Sequence, residues 1–172
     1  DNLAEKSGGG IKNAGTVILT DSTVTGNLAP LGGGILNGEA GTLTLTNITL
    51  SHNVAENSGG GMFNTEVGTV ILIDSTVTGN SASLGGGILN GEAGTLTLTN
   101  ITLRDNVAEF GGGINNAGTM TLTDSPITGN SAASLGGGIH NGEAGTLTLT
   151  NITLRDNVAE FGGGINNAGT MT

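Results

Sequence analysis

The stretch Gly32-Gly33-Gly34-Ile35-Leu36-Asn37, continued by Gly38-Glu39-Ala40-Gly41 and Thr42-Leu43-Thr44-Leu45-Thr46-Asn47-Ile48-Thr49-Leu50, decides the fold. Apolar and polar residues alternate in Gly33–Asn37, Thr42–Thr46 and Ile48–Leu50. That is the period-2 signature of strands rather than the 3.6 period of helices. Gly38–Gly41, Asn47 and the loop from His52 to Ser58 separate them as turns. Three short strands joined by three turns make one rung, and each strand is expected to pair in parallel with its counterpart one rung later.

The pattern recurs along the whole chain. A Gly-Gly-Gly triplet begins at Gly8, Gly32, Gly59, Gly85, Gly111, Gly136 and Gly162, at steps of 24, 27, 26, 26, 25 and 26 residues, so one coil is about 26 residues. A fixed period of this kind marks a repeat architecture, in which each unit buries its apolar face only against its neighbours. A two-coil unit is superimposed: residues 84–121 and 135–172 are the same 38-residue string except that Leu89 becomes His140, at an offset of 51. Internal duplication is the simplest cause. The expected structure is an all-β solenoid of six to seven coils, one continuous segment over 1–172 with no domain boundary.

Aliphatic residues fall in columns. Ile11, Ile35, Met62, Ile88, Ile114, Ile139 and Ile165 share one position of the first strand, and Val24, Leu50, Val77, Leu103, Ile127 and Leu154 share one of the third. Stacked at roughly 4.8 Å per coil, they would form a narrow dry core. Asparagine is equally regular: Asn13, Asn37, Asn64, Asn90, Asn116, Asn141 and Asn167 form one column, and Asn27, Asn53, Asn80, Asn106, Asn130 and Asn157 another. An amide both donates and accepts, so such a column can hydrogen-bond to itself and to turn backbone. A third column interleaves acid with amide: Asp21, Asn47, Asp74, Asn100, Asp124, Asn151.

Composition excludes several classes. Glycine supplies 34 residues, aromatics 2%, and Cys, Trp and Tyr are absent, which would mean disorder if the apolar residues did not recur at a fixed period. The net charge is −10 with Lys6, Lys12, Arg104 and Arg155 the only bases, which argues against binding nucleic acid or an anionic membrane. No run of 18 apolar residues and no charged-then-apolar leader is present, so any export signal is expected outside this segment. A chain without Cys has no disulfide scaffold and no thiolate metal site.

Gly-Gly-Ile, as in Gly86-Gly87-Ile88, with aliphatic-x-x-Asn, as in Val24-Thr25-Gly26-Asn27 and Leu103-Arg104-Asp105-Asn106, resembles the paired motifs of polymorphic outer-membrane-type passengers and related pectate-lyase-like β-helix repeats. An aliphatic stands where those passengers favour an aromatic in the second motif. The resemblance covers essentially the whole chain and implies a right-handed parallel β-helix from a secreted or surface-displayed bacterial protein. Such motifs specify architecture and say little about activity.

Candidate chemistry is sparse. Arg104 and Arg155 sit two coils apart in identical contexts, and repeating a coil repeats any supposed active residue, whereas catalysis needs one asymmetric constellation. No enzyme is expected, and the carbohydrate-active fragment is the third reading. Phe110 and Phe161 precede Gly triplets where Leu31, Leu84 and Leu135 stand in other coils, so they read as core. His52 and His140 lie at different rung positions and read as exposed. Glu39, Glu66 and Glu92 occupy one turn in three consecutive coils and at that spacing could collect Ca²⁺, but splaying into water is the favoured reading. Asn47-Ile48-Thr49, Asn100-Ile101-Thr102 and Asn151-Ile152-Thr153 match the glycosylation sequon, but their place in a corner column explains them structurally.

Two surface features are candidates for contact with other molecules. The outward row of the second strand is threonine, as in Thr95, Thr97, Thr99, Thr119, Thr121, Thr123, Thr146, Thr148 and Thr150, a grid similar to the Thr arrays of β-solenoid ice-binding proteins; Ile18, Ile71 and Ile73 interrupt it in the first half. On the first strand, Leu36, Phe63 and Leu89 form an outward apolar stripe fit for lateral contact, or are covered by a neighbouring loop. The leading expectation is a structural extracellular or cell-surface solenoid: a stalk, an adhesin passenger or a filament subunit. Because Asp1-Asn2 aligns with Asp105-Asn106 and Gly169–Thr172 aligns with Gly118–Thr121, both ends fall mid-coil, and end-to-end stacking or continuation of a longer chain is expected.

Overall fold

A computed structural model describes residues 1–65 and 67–172. Among them there is no helix; all regular structure is short parallel strands stacked coil upon coil. First strands run Ile11–Asn13, Ile35–Asn37, Met62–Asn64, Ile88–Asn90, Ile114–Asn116, Ile139–Asn141 and Ile165–Asn167, paired in that order. Second strands begin with Thr16–Thr20 and Thr42–Thr46, and third strands with Thr23–Thr25 and Thr49–Ser51; in the fifth and sixth coils the two fuse into Thr119–Thr128 and Thr146–Arg155. Every pairing joins equivalent positions of neighbouring coils: Ile35 faces Met62, Leu50 faces Val77, Thr97 faces Thr121. A β-solenoid of about six turns results.

The loop expected at His52–Ser58 instead contributes a fourth strand segment. Leu28–Leu31 pairs with Val54–Ser58, and Val107–Phe110 with Ser131–Leu135, while Ser81 and Val158 continue the same line through isolated bridges. The inward residue there is always alanine, with Ala29, Ala55, Ala82, Ala108 and Ala132 all buried. A small, buried side chain thus stands where the fourth segment closes the coil.

Corners are made by residues in the left-handed region. Between the second and third strands stand Asp21, Asn47, Asp74, Asn100, Asp124 and Asn151, each with φ of 50–54°. Asp and Asn tolerate this conformation better than other non-glycine residues, which adds a backbone reason for that column. At the triplets the first glycine also turns left-handed, as at Gly85 with φ 62°. The next two serve close approach: a Cβ on Gly87 would lie 2.6 Å from the Gly113 carbonyl oxygen of the following coil.

Coil length varies in only two places, the turn after the first strand (Asn13-Ala14-Gly15 against Asn37–Gly41) and the fourth segment, where the register shifts after Ala29 and Ala108. From the start of the second strand to the corner asparagine the count is constant, as in Thr16 to Asn27 and Thr146 to Asn157. The second-strand pairings accordingly carry no register shift from Thr16 to Thr170.

The core is one cluster of aliphatic side chains running the length of the stack. Ile35, Leu50, Ile88 and Ile114 are fully buried and Leu103 is 2% exposed, so the inward columns are those read from the sequence. Replacing Leu103 by Ala should destabilise by about 2–5 kcal/mol through lost contact and cavity formation. Leu103→Asp or Ile114→Asp should cost more, because no partner exists for the carboxylate. Urea or thermal unfolding measures both, and unchanged melting would mean that the faces are inverted.

Candidate functional site

The surface is built on two internal asparagine ladders. In the first, the Nδ2 of each asparagine donates to the Oδ1 of the next coil's: Asn37 to Asn64 at 2.9 Å, Asn64 to Asn90 and Asn90 to Asn116 at 2.8 Å, Asn116 to Asn141 at 2.7 Å. It also donates to its own turn, as Asn37 does to the Gly41 carbonyl at 2.8 Å. In the second, backbone N–H and Nδ2 of Asn53 both donate to Asn80 Oδ1, and Nδ2 also reaches back to the Val24 carbonyl at 3.0 Å. Among the described residues no buried side-chain nitrogen or oxygen lacks a partner.

The mixed column behaves differently. Asn47 donates to Asp21 at 2.6 Å, Asn100 to Asp74 at 2.7 Å and Asn151 to Asp124 at 2.6 Å, so it is a series of exposed pairs rather than a continuous ladder. The sequon asparagines are thus exposed at a corner and engaged by a carboxylate. Just inside them Ser and Ile alternate: Ser75 Oγ accepts from Ile48 N–H at 2.9 Å, and Ser125 Oγ from Ile101 N–H at 3.0 Å.

The structure decides where the residues singled out from the sequence lie. Leu36 and Leu89 are only 7% and 8% exposed and Phe63 is partly covered, so they do not form an open stripe. In-register stacking puts each long side chain against the next, from Lys12 through Leu36, Phe63 and Leu89 to Asn115. Phe110 and Phe161 are not core: Phe110 packs on the outside against His140, with ring centroids 6.3 Å apart, and Phe161 is 56% exposed. His140 is consequently half-covered and lies 3.1 Å from Asn166 Oδ1, whereas His52 is exposed and lies beside Gly79. The open apolar line lies instead on the fourth segment, where Leu3, Leu28, Val54, Val107 and Val158 project outward. Its Val-Ala-Glu alternation, masked by serine in other coils, was the available signal.

Glu39 and Glu92 are exposed in their turns; Glu66 lies outside the described residues. No group of three or more His, Cys, Asp or Glu among the described residues is arranged to hold a metal ion. Arg104 pairs with its neighbour Asp105 at 2.9 Å, both half-exposed, a pair that contributes little to stability.

The threonine array is the most extended feature. Its first column runs Thr16, Thr42, Thr69, Thr95, Thr119, Thr146 and Thr170, one per coil. The second runs Ile18, Thr44, Ile71, Thr97, Thr121, Thr148 and Thr172, and the third Thr20, Thr46, Ile73, Thr99, Thr123 and Thr150. The nine threonines recognised from the sequence occupy its fourth to sixth coils, and Thr170 and Thr172 extend it by one more. The inward residues between them, such as Leu96, Leu98, Met120 and Leu122, are buried, so the strand's two faces are fully segregated.

No family model, curated protein or solved structure matches the chain. The resemblance to passenger and pectate-lyase-like repeats therefore rests on its motifs, and what the structure supports is the parallel solenoid itself.

The ladder invites a direct test in Asn90→Asp. The position keeps an acceptor for Asn64 but loses the amide that serves Asn116 and Gly94. An ionised side chain there is a buried charge facing acceptors, so its pKa in the folded state is raised above the unfolded value. Stability should be nearest wild type below the ordinary carboxylate range and fall as pH rises through the raised pKa. Melting followed from about pH 3 to about pH 8 should show a loss of about 1–3 kcal/mol or more at the upper end; a flat difference would mean that the site is open to water.

Proposed function

We propose that this chain is a structural segment of an extracellular or cell-surface β-solenoid, serving as a stalk, an adhesin passenger or a filament subunit. The observation that carries the reading is the uniformity of the coil-to-coil interface. The same aliphatic columns and the same two asparagine ladders recur at every step, so the stack is held by its own repetition. Any coil of this kind can be followed by another, of the same chain or of a second copy, and the rod continues end to end in that way. The resemblance to surface-displayed bacterial repeats supports the location. In this reading no catalysis resides in the segment, and Arg104 and Asp105 have a local structural role.

A second reading is favoured by the threonine face. Of its twenty outward positions seventeen are threonine and three are isoleucine, and none is charged in a chain of net charge −10. In this reading the rod also binds a flat, ordered surface through that side.

Sedimentation and electron microscopy of the purified protein should show rods that lengthen with concentration, and compact particles would overturn the structural reading. Turnover of a polysaccharide that vanishes on Arg104→Ala or Asp105→Ala would overturn the non-catalytic one. Calcium should raise the melting temperature by no more than the few degrees that correspond to about 1 kcal/mol in a domain of this size. A larger rise would make the Glu39 and Glu92 turns a metal site.

A further inference from the structure

Resting on the surface-binding reading, we propose that the ligand of the threonine face is ice, held through hydroxyl and methyl groups that order water at the protein surface. The geometry is a lattice. Outward residues recur at about 6.7 Å along each strand and about 4.8 Å between coils, over a face about 13 Å wide and about 29 Å long. No register shift interrupts it.

Strand propensity alone does not account for the composition. Threonine suits an exposed strand, but the other outward rows of this same solenoid are not restricted in this way. The third strand carries Arg104 and Arg155, and the first carries Lys12, Asn115 and His140. Only the second strand is confined to Thr and Ile throughout. Both are β-branched and stiff at χ1, so each position presents a methyl group in a restricted orientation and most add a hydroxyl. Ile18, 71% exposed, keeps the methyl without the hydroxyl.

That chemistry fits a neutral lattice of water. Charged side chains hold water radially and would disrupt lattice order; here they are excluded from the face. Hydroxyls spaced as a grid can take the place of lattice oxygens, and the methyl groups between them favour caged water. A crystalline polysaccharide is the other regular surface of such dimensions, but its recognition draws on aromatic stacking. The face has no aromatic residue, and the chain has neither Trp nor Tyr.

The test uses the purified chain in three assays: partition into a growing ice hemisphere, thermal hysteresis, and pull-down on crystalline cellulose and chitin. Wild type should enter ice well above a carrier-protein control and show hysteresis. Thr97→Lys and Thr121→Lys, central on the face, should each reduce hysteresis at least tenfold with melting unchanged, whereas Thr102→Lys on the third strand should not. Should a lysine variant melt early, Thr121→Val, which keeps the β-branch and removes the hydroxyl, replaces it and should lower hysteresis severalfold. Exclusion from ice with retention on cellulose or chitin overturns the ice assignment and leaves surface binding standing. Exclusion from ice and from both polysaccharides overturns both. Ice activity insensitive to Thr97 and Thr121 overturns the placement of the site.

Discussion

A single coil of this protein is too thin to bury anything, so every other property depends on zero-offset contact between each side chain and its counterpart one coil away. Register carries the energy. Ile88 is buried because Met62 and Ile114 lie directly beneath and above it. The asparagine columns enforce that register more strictly than the aliphatics can. Apolar contacts tolerate sliding, but an amide that has lost its partner inside a dry core leaves donors and acceptors unsatisfied at about 1–3 kcal/mol each. Both ladders donate in the same direction along the chain, each asparagine to the following coil, so the corner amides also mark a direction along the rod.

The same constraint explains which features were legible in the sequence. Because coils stack without offset, a column in the sequence is a column in space, and the inward positions of Ile35, Leu50 and Leu103 followed from periodicity alone. So did the ladders at Asn37 and Asn53. What periodicity does not report is coverage. Leu36 and Leu89 alternate as outward residues and are outward, yet long neighbours in register close over them. Phe110 stands where core was expected, but the left-handed Gly111 turns the chain there and its ring meets His140 outside. The fourth segment was hidden for a related reason: its inward residue is only alanine, too small to announce a buried strand beside the Ile and Leu of the other three.

The threonine face also follows from where length variation is confined. Insertions fall in the turn after the first strand and in the fourth segment, so the second and third strands are held at constant length in every coil. A face whose spacing is the same from Thr16 to Thr170 can exist only on the part of the coil that does not absorb insertions. The open apolar line from Leu28 to Val158 lies on the part that does, and its side chains change accordingly from coil to coil.

The alternation between neighbouring coils limits how such a protein can change size. Asp pairs with Asn, and Ser with Ile, across one step and not across two. Losing a single coil would bring Asp21 beside Asp74 and Ser22 beside Ser75, setting two carboxylates face to face and removing the Ile48 that fills the corner between them. Losing or gaining a block of two coils, such as the 51-residue offset separating Leu84 from Leu135, leaves the Asp–Asn and Ser–Ile alternation intact. Recombination between repeats would therefore be tolerated in even steps, and relatives of different length would be expected to form a ladder of sizes separated by coil pairs.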